Sequence, residues 1–423
     1  KSAAELMPDG SVCPKCGSAH FTKETDIMDV WFDSGSTHAA VLDERDYLAS
    51  PADLYLEGAD QYRGWFQSSL LTSVATKGVA PYKTVVTHGW VVDGEGKKMS
   101  KSIGNTIEPE EIVNQYGADI LRLWVASSDY HADIRISKDI LKQLSEAYRK
   151  IRNTARFILG NIYDFNPDTD SVPSSALEPI DRWALARLNA LIEKSREAYE
   201  NFEYHQIFHA VHNFCVVDMS NFYLDVLKDR LYVERADSAT RRAAQTAMYR
   251  ILDSLTLLLA PIIAFTAEEI WEFMPHDASR DKGSVMFNEF PSAVTVDADD
   301  TFMAEWDKLH AVRDDVKKAV ELARKDKLIG ASLDAKVTVF AKGDWLDLLK
   351  GTDVNLAALF ITSAVEVVEG DGGAFAGDNV AVTVEKASGC KCERCWTYSE
   401  TVGANPEFEG ICERCAKILK GEL

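Results

Sequence analysis

Lys83-Thr-Val-Val-Thr-His-Gly-Trp-Val-Val92 runs through Asp93-Gly-Glu-Gly96 into Lys98-Met-Ser-Lys-Ser102 and leaves through Gly104-Asn105. The apolar, β-branched first part reads as a buried strand, and the glycines after it read as a loop. Two lysines and two hydroxyls on such a loop suit a polyphosphate whose charge increases as pyrophosphate leaves. A lone lysine-rich pentapeptide is ordinarily a solvated turn; the strand before this one and the helix after it favour the phosphate reading. Upstream, 53–92 alternates short apolar runs with helical periodicity, so this part of the chain is α/β material. Downstream, Glu108 to Ala126 is expected as one helix, with Pro109 near its first turn and Ile112, Tyr116, Ile120, Leu123 and Trp124 on one face.

Farther along, the pattern changes twice. After about Ser137 it becomes long amphipathic helices: Phe208, Val211, Cys215, Met219, Phe222 and Val226 step by three or four, as do Met248, Ile251, Leu252, Leu255 and Leu258. Connectors at Asn166 to Pro179 and Asn288 to Asp300 separate them, and a last helix carries Leu309, Val312, Val316 and Val320. An all-helical bundle follows from this. Near Leu328 a period of two appears in Ala335-Lys-Val-Thr-Val-Phe340, and Ala364 to Val368 and Val380 to Val384 read as further strands of a small α/β appendage. The stretch from Gly389 has too few apolar residues for its own core and needs a staple. The expected division is therefore 1–136, 137–328, 329–387 and 388–423.

A chain of 423 residues, 46% hydrophobic and 10% aromatic, is long and apolar enough for several packed cores. The longest apolar run, Leu255 to Phe265, contains Pro261 and falls short of the ~20 residues that cross a bilayer. It reads as two buried helix segments meeting at a proline. The opening Lys1-Ser2-Ala3-Ala4 reads as an internal cut through a longer protein. A net charge of -21 argues by itself against nucleic-acid binding. Between Lys138 and Arg156, however, six basic residues (Lys138, Lys142, Arg149, Lys150, Arg152, Arg156) stand against Asp139 and Glu146. On a helix they form either a phosphate-tracking stripe or a solvated face.

Six of the eight cysteines form Cys-x-x-Cys pairs: Cys13/Cys16, Cys392/Cys395 and Cys412/Cys415. The last two pairs, Cys392-Glu-Arg-Cys395 and Cys412-Glu-Arg-Cys415, share one internal sequence and lie sixteen residues apart. Two thiolates from each of two knuckles can close a tetrahedron around one structural Zn²⁺. Disulfides or a redox pair are the competing readings, but a thioredoxin-like motif needs a βαβ context that is absent here. Arg394 and Arg414 would offset the negative centre or point toward RNA, and Cys390 is a fifth cysteine available as a substitute ligand. Cys13 and Cys16 make half of such a site. Cys215 lies on an apolar helical stripe and reads as a small buried hydrophobe.

Lys98-Met-Ser-Lys-Ser102 resembles the KMSKS loop of class I aminoacyl-tRNA synthetases. The surrounding text is similar to isoleucyl-tRNA synthetases in particular: Asp29-Val-Trp-Phe-Asp-Ser-Gly35, Leu56-Glu-Gly-Ala-Asp-Gln-Tyr-Arg-Gly-Trp-Phe66, Gly89-Trp-Val-Val-Asp-Gly94 and Leu121-Arg-Leu-Trp-Val-Ala-Ser-Ser-Asp-Tyr130. The similarity runs through essentially the whole chain. It implies the second half of a Rossmann-like catalytic domain, an all-α anticodon-binding bundle, a small α/β domain and a zinc knuckle. It further implies that Glu57, Asp60 and Gln61 hold an aminoacyl-adenylate. Trp31 and Trp65 would wall the isoleucine side chain, His88 would lie by the adenine and phosphates, and Lys98, Ser100 and Lys101 would bind ATP, the two lysines being catalytic. Without the resemblance, Glu57 to Gln61 reads as an exposed turn, the tryptophans as core, and His88 as a hydrogen-bonded strand histidine.

The implied partners are tRNA(Ile), isoleucine and Mg-ATP as substrate, with one structural Zn²⁺ per chain in a cytoplasmic monomer that has no membrane association. The family's other ATP motif, His-Ile-Gly-His, and its editing domain are absent from these residues. The chain alone is therefore expected to activate isoleucine poorly or not at all and to retain mainly tRNA contact. A short tRNA-binding protein that has lost catalysis, a zinc-stapled scaffold without an RNA role, and a valyl- or leucyl-specific relative are the rival readings.

Overall fold

The computed structural model describes residues 2–422. In chain order its principal elements are α1 (Val30–Gly35), β1 (Ala52–Gly58), α2 (Trp65–Lys77), β2 (Tyr82–His88), β3 (Val91–Val92), α3 (Pro109–Tyr116), α4 (Ala118–Ser127) and β4 (Ile134–Arg135). Then come α5 (Lys138–Asn161), α6 (Pro179–Glu200), α7 (Tyr204–Asn213), α8 (Lys228–Val233), α9 (Ala239–Leu259), α10 (Ala264–Phe273) and α11 (Asp300–Lys325). The remainder holds β5 (Ala335–Ala341), α12 (Asp344–Gly351), α13 (Leu356–Phe360), β6 (Ala364–Glu369), β7 (Phe375–Ala376), β8 (Ala381–Lys386), β9 (Cys390–Lys391), β10 (Tyr398–Ser399) and α14 (Glu413–Lys420). Two compact units divide the chain: one runs to Lys98 and adds Tyr130–Arg135, the other holds Met99–Asp129 and everything from Ile136 on.

In the first unit β1 and β2 run parallel, with Glu57 opposite Thr87 and Gly58 opposite His88, and α2 is the crossover between them. The expected single buried strand over Lys83 to Val92 is instead two. Gly89 breaks it because a Cβ there would stand 2.5 Å from the backbone of Ala132, so the chain turns and β3 pairs with β4. β2 is also mostly exposed, since the alternate faces of a two-stranded sheet have little to pack on.

In the second unit, the helix expected over Glu108 to Ala126 is broken into α3 and α4 at Gly117, whose φ of +89° and ψ of 157° end one helix and start the next. The apolar repeat continues across the break, and Ile112, Ile120, Leu123 and Trp124 are buried as expected. Asp119 accepts hydrogen bonds from Thr266 N (2.7 Å) and Thr266 Oγ1 (2.6 Å), so its carboxylate caps the start of α10. Arg122 donates to the carbonyls of Pro261 and Ile262 (2.7 and 2.8 Å), and these two bonds hold α4 against the α9–α10 turn. That turn carries Pro261 between α9, which is buried almost all round, and α10, which is buried on one face only, with Phe265 and Phe273 exposed, so the second of the two expected buried segments is an amphipathic helix.

The stripe beginning at Phe208 is buried through Phe222, but residues Phe214–Tyr223 form a π-helix and not a continuation of α7. The core around it is completed by α9, buried almost all round, and by Trp271, Trp306, Tyr223 and Tyr249. Asp181, wholly buried, accepts from Tyr223 Oη (2.8 Å) and twice from Arg230 (3.1 and 2.8 Å), so that a charge inside the helices is paired and hydrogen-bonded. Downstream, a four-stranded sheet of order β6-β5-β8-β7 has β5 parallel to β6 through the α12–α13 crossover and antiparallel to β8. No described helix is long and apolar enough to cross a membrane.

Candidate functional site

In the first unit the carboxyl ends of β1 and β2 bring Glu57, Gly58 and His88 side by side. A Cβ on Gly58 would lie 2.8 Å from Asp60 Oδ1 and 3.6 Å from His88 Cε1, so the glycine lets the acidic turn and the imidazole approach each other. The chain then makes a tight turn over Ala59–Arg63 and enters α2 through Gly64. Gln61 Oε1 accepts from Trp65 N (2.9 Å) and caps the helix in place of a residue at the N-cap itself. Glu57 and Asp60 remain exposed, and Glu57 Oε2 accepts only a local bond from Gly58 N (3.1 Å). His88 is half-buried, with Nδ1 2.8 Å from the Gly89 carbonyl oxygen.

The two tryptophans sit differently. Trp65 stacks on buried Tyr55 with centroids 4.2 Å apart and planes 8° from parallel, and its indole donates to the Ser34 carbonyl (3.0 Å). Trp31 is 46% exposed, and its ring comes within 3.5 Å of the Cβ position of Gly64. Tyr55 and Ser34, which fix Trp65, were not singled out from sequence. The contact with Ser34 spans 31 residues and leaves no local pattern, whereas Gly58 and Gly64 flanking the acidic turn are a signal that was available.

The lysine loop begins in this unit. Val92 bridges antiparallel to Lys98, and Asp93 Oδ1 accepts from Glu95 N (3.0 Å) and Lys97 N (2.8 Å), so the turn is closed by a side chain as well as by Gly96 at φ +84°. Residues from Met99 on belong to the second unit. There Ser100 N donates to Asn105 Oδ1 (2.9 Å), Ser100 Oγ lies 3.1 Å from Ser102 Oγ, and Gly104 turns at φ +76°. Lys98 and Lys101 are exposed and Ser100 is half-buried.

Also in the second unit, Cys392, Cys395, Cys412 and Cys415 are buried with all four sulfurs within 4.8 Å of one another. Cys392 to Cys415 and Cys395 to Cys412 are each 3.8 Å. Four sulfurs at ~2.3 Å from one zinc in a tetrahedron stand roughly 3.8 Å apart, so the thiols already have the spacing of the filled site. Burial would raise the Cys392 thiol, but the N–H groups of Cys395, Cys412 and Arg394 bring it down to about 6. Burial, and then the charge of neighbouring thiolates, push Cys415 up, and burial pushes Cys412 up. A divalent cation is what allows all four to be thiolates at this distance.

Around the thiols, Val233 of α8 completes the cluster and Arg414 makes a bidentate pair with Asp229 (2.8 and 2.6 Å). Arg414 therefore fastens the knuckle to α8 while its side chain stays partly exposed. Its guanidinium is held above its ordinary value, chiefly by that carboxylate. Cys390 is exposed and outside the cluster, which sets aside the substitute-ligand reading. Cys13 and Cys16 form a turn with Gly17 at φ +71° but belong to no group of three or more candidate ligands among the described residues. Cys215 is wholly buried, and burial pushes its thiol up to about 12. The six basic residues from Lys138 to Arg156 all lie exposed on α5, where Arg149 pairs with Glu146 at 2.7 Å.

Three family profiles match: "tRNA synthetases class I (I, L, M and V)" over residues 1–137, "Anticodon-binding domain of tRNA ligase" over 181–339, and "Zinc finger found in FPG and IleRS" over 389–418. The last, with the geometry above, assigns the four cysteines to a structural zinc ion. The isoleucine–tRNA ligase of Syntrophotalea carbinolica is 58% identical over 99% of this chain and 45% of its own length. Those of Caldicellulosiruptor saccharolyticus and Geobacter sulfurreducens are 56% and 51% identical, over 99% of this chain and 45% and 46% of theirs. The chain thus spans a little under half the length of the curated relatives it matches. A LeuRS chain in an Agrobacterium radiobacter K84 LeuRS–tRNA–LeuAMS ternary complex shares the fold at a TM-score of 0.51 and 18% identity, over 78% of this chain and 38% of that one.

Proposed function

We propose, from the premise that this chain belongs to the isoleucine–tRNA ligases, that it supplies one face of an aminoacylation site together with the tRNA-gripping part of the enzyme. In the whole protein an isoleucine carboxylate oxygen attacks the α-phosphorus of Mg-ATP, the bond to the β-phosphate breaks, and pyrophosphate leaves. A terminal ribose hydroxyl of tRNA(Ile) then attacks the acyl carbon of isoleucyl-adenylate and AMP departs. Catalysis of this kind rests on positioning and on charge stabilisation.

The observation that carries this reading is the meeting of Glu57, Gly58 and His88 at the carboxyl ends of two parallel strands, the place where open α/β sheets bind ligands. Glu57 and Asp60 are free to receive an ammonium, and Gln61, Trp31 and Trp65 are the polar and aromatic groups next to them. His88 takes the nucleotide side, and Lys98, Ser100 and Lys101 act on the phosphates, Lys101 foremost. In this reading 1–136 is the second half of the catalytic nucleotide-binding domain, 137–328 is anticodon-binding, 329–387 is a small α/β domain and 388–423 is the knuckle. The protein works as a cytoplasmic monomer.

The test is retention of tRNA(Ile) against a noncognate tRNA by the zinc-loaded chain, with isoleucine-dependent ATP–pyrophosphate exchange measured alongside. The chain is expected to prefer tRNA(Ile) and to show no exchange by itself. Equal retention of both tRNAs would overturn the reading.

A further inference from the structure

Trp65 opens α2 and is gripped on three sides. One face of its ring lies on Tyr55 of β1, with centroids 4.2 Å apart and planes 8° from parallel, and its indole N–H donates to the carbonyl of Ser34 in α1 (3.0 Å). Its backbone N–H donates to Gln61 Oε1 (2.9 Å). Tyr55 is itself fixed. It is 4% exposed, Tyr82 of β2 packs on it at a centroid distance of 4.8 Å, and its hydroxyl lies 3.4 Å from Ser69 Oγ, which donates to the Gly35 carbonyl (3.1 Å). Residues of β1, β2, α1 and α2 thus converge on one ring, and the face turned away from Tyr55 is left for a ligand. Trp31 contrasts with it: 46% exposed, it stacks on no other ring among the described residues.

A wall that cannot move matters for selection by size. An apolar pocket rejects a side chain one methylene too short for two reasons. The lost transfer of that methylene supplies about 4-fold. The void left behind supplies the rest, but only where the surroundings do not collapse into it. Together they reach ~10–200-fold, the preference of isoleucine enzymes for isoleucine over valine being one known case of that range.

We infer that Tyr55 is a positioning residue for this selection: by holding the Trp65 ring in place, it keeps the pocket from closing around valine. The inference rests on the reading above that puts Trp65 beside the isoleucine side chain. An exposed, unstacked Trp31 can follow a smaller ligand, so the void survives only on the side that Tyr55 backs.

The test uses the whole protein without tRNA and reads ATP–pyrophosphate exchange with isoleucine and with valine on one preparation. The ratio of the two kcat/KM values cancels the fraction of protein that is folded, so a purely structural defect leaves it unmoved. Tyr55→Leu removes the stacked ring and is expected to lower the isoleucine-to-valine ratio by about 3-fold or more, toward the ~4-fold of transfer alone. Tyr55→Met is read in the same way where Tyr55→Leu yields no folded protein. Tyr55→Phe keeps the ring, loses only the long contact to Ser69, and is expected to keep the ratio. An unchanged ratio in Tyr55→Leu overturns the inference, and so does an equal fall in Tyr55→Phe, since the ring is still there. Trp65→Leu, run alongside, separates the two readings. If it lowers the ratio and Tyr55→Leu does not, the role of Tyr55 alone is overturned; if neither lowers it, the placing of Trp65 in the pocket falls as well.

Discussion

In the knuckle, four buried sulfurs drawn from Cys392 to Cys415 face one another at the spacing a tetrahedral ion requires, and Asp229 and Val233 fasten the result to α8. At the ends of β1 and β2 the side chains with chemistry stand open: Glu57 and Asp60 are exposed, and so are Leu54, Leu56 and Trp31 around them at 40%, 55% and 46%. The metal site is finished by its own short segment, and its energy goes into folding. The strand-end shelf is positioned by backbone, by Gly58, Gly64 and Gly89, and by the stacked pair Tyr55 and Trp65, while its exposed carboxylates hold little of the structure together. A closed site should therefore fail by unfolding, and an open one should fail in activity while the fold stands.

The largest expected effect is on the closed side. Changing Cys392 and Cys412 to serine should remove the single zinc and unfold 389–422, because a structural zinc site contributes on the order of 10–16 kcal/mol of apparent binding energy. Metal analysis together with hydrogen exchange across that segment measures it. Retained protection without zinc would mean that Val233 and the Arg414–Asp229 pair hold the knuckle without the ion. At the lysine loop, Lys101→Ala in the whole protein should lower the rate of isoleucine activation by ~10²–10³, the usual effect of removing one preorganised charge from a developing anion. Zinc content and melting temperature should not move.

Acid probes whether the second unit's stability is all in the knuckle. Burial, and then Arg313, depress the His310 imidazole to about 4, within an aromatic setting of Trp183, Phe222 and Trp306. The unfolded chain takes up that proton below ~6.5 and the folded one does not until about 4. Stability from this residue is thus complete above ~6.5 and lost as pH falls toward 4, by about 3 kcal/mol. His310→Phe should flatten denaturation midpoints over that window, and an unchanged pH profile would place the acid sensitivity in the thiolates.

Sequence carried the closed region almost whole, because spacing, ligand type and the need for a staple all lie within one short segment. It carried the strands and helices too, wherever period two or the three-to-four step dominated. It missed the break at Gly117 because the apolar face continues past it, and it missed the π-helix of Phe214–Tyr223 because a stripe of buried residues looks similar with one extra residue per turn. The pairing of Arg414 with Asp229, 185 positions away, has no trace in either local text. At the shelf, residue types were legible, but the exposure of β2 was not, since a valine-rich strand reads as buried whether or not anything covers it.

Gly89 tests how much the shelf depends on backbone. An alanine Cβ would lie 2.5 Å from Ala132 C and O and 2.7 Å from Asp133 N, all backbone atoms that cannot rotate away. Gly89→Ala should push β3 from β4 and destabilise the first unit by about 1–3 kcal/mol, seen as faster exchange at Trp90 to Val92. A smaller loss would show that the Tyr130–Arg135 segment follows β3 freely.

Least of all should the carboxylates of Glu57 and Asp60 matter to folding. Glu57→Gln and Asp60→Asn each keep shape and remove a charge from an exposed site, and surface changes of this kind stay within ~0.5 kcal/mol. The same pair in the whole protein should weaken the response to isoleucine, because a carboxylate facing an ammonium is worth more than a neutral amide. Thermal denaturation of the chain and isoleucine-dependent exchange by the whole protein separate the two effects. A stability loss comparable to that of Gly89→Ala would mean that the acidic turn holds the strand ends together, and the contrast with the knuckle would then be one of degree.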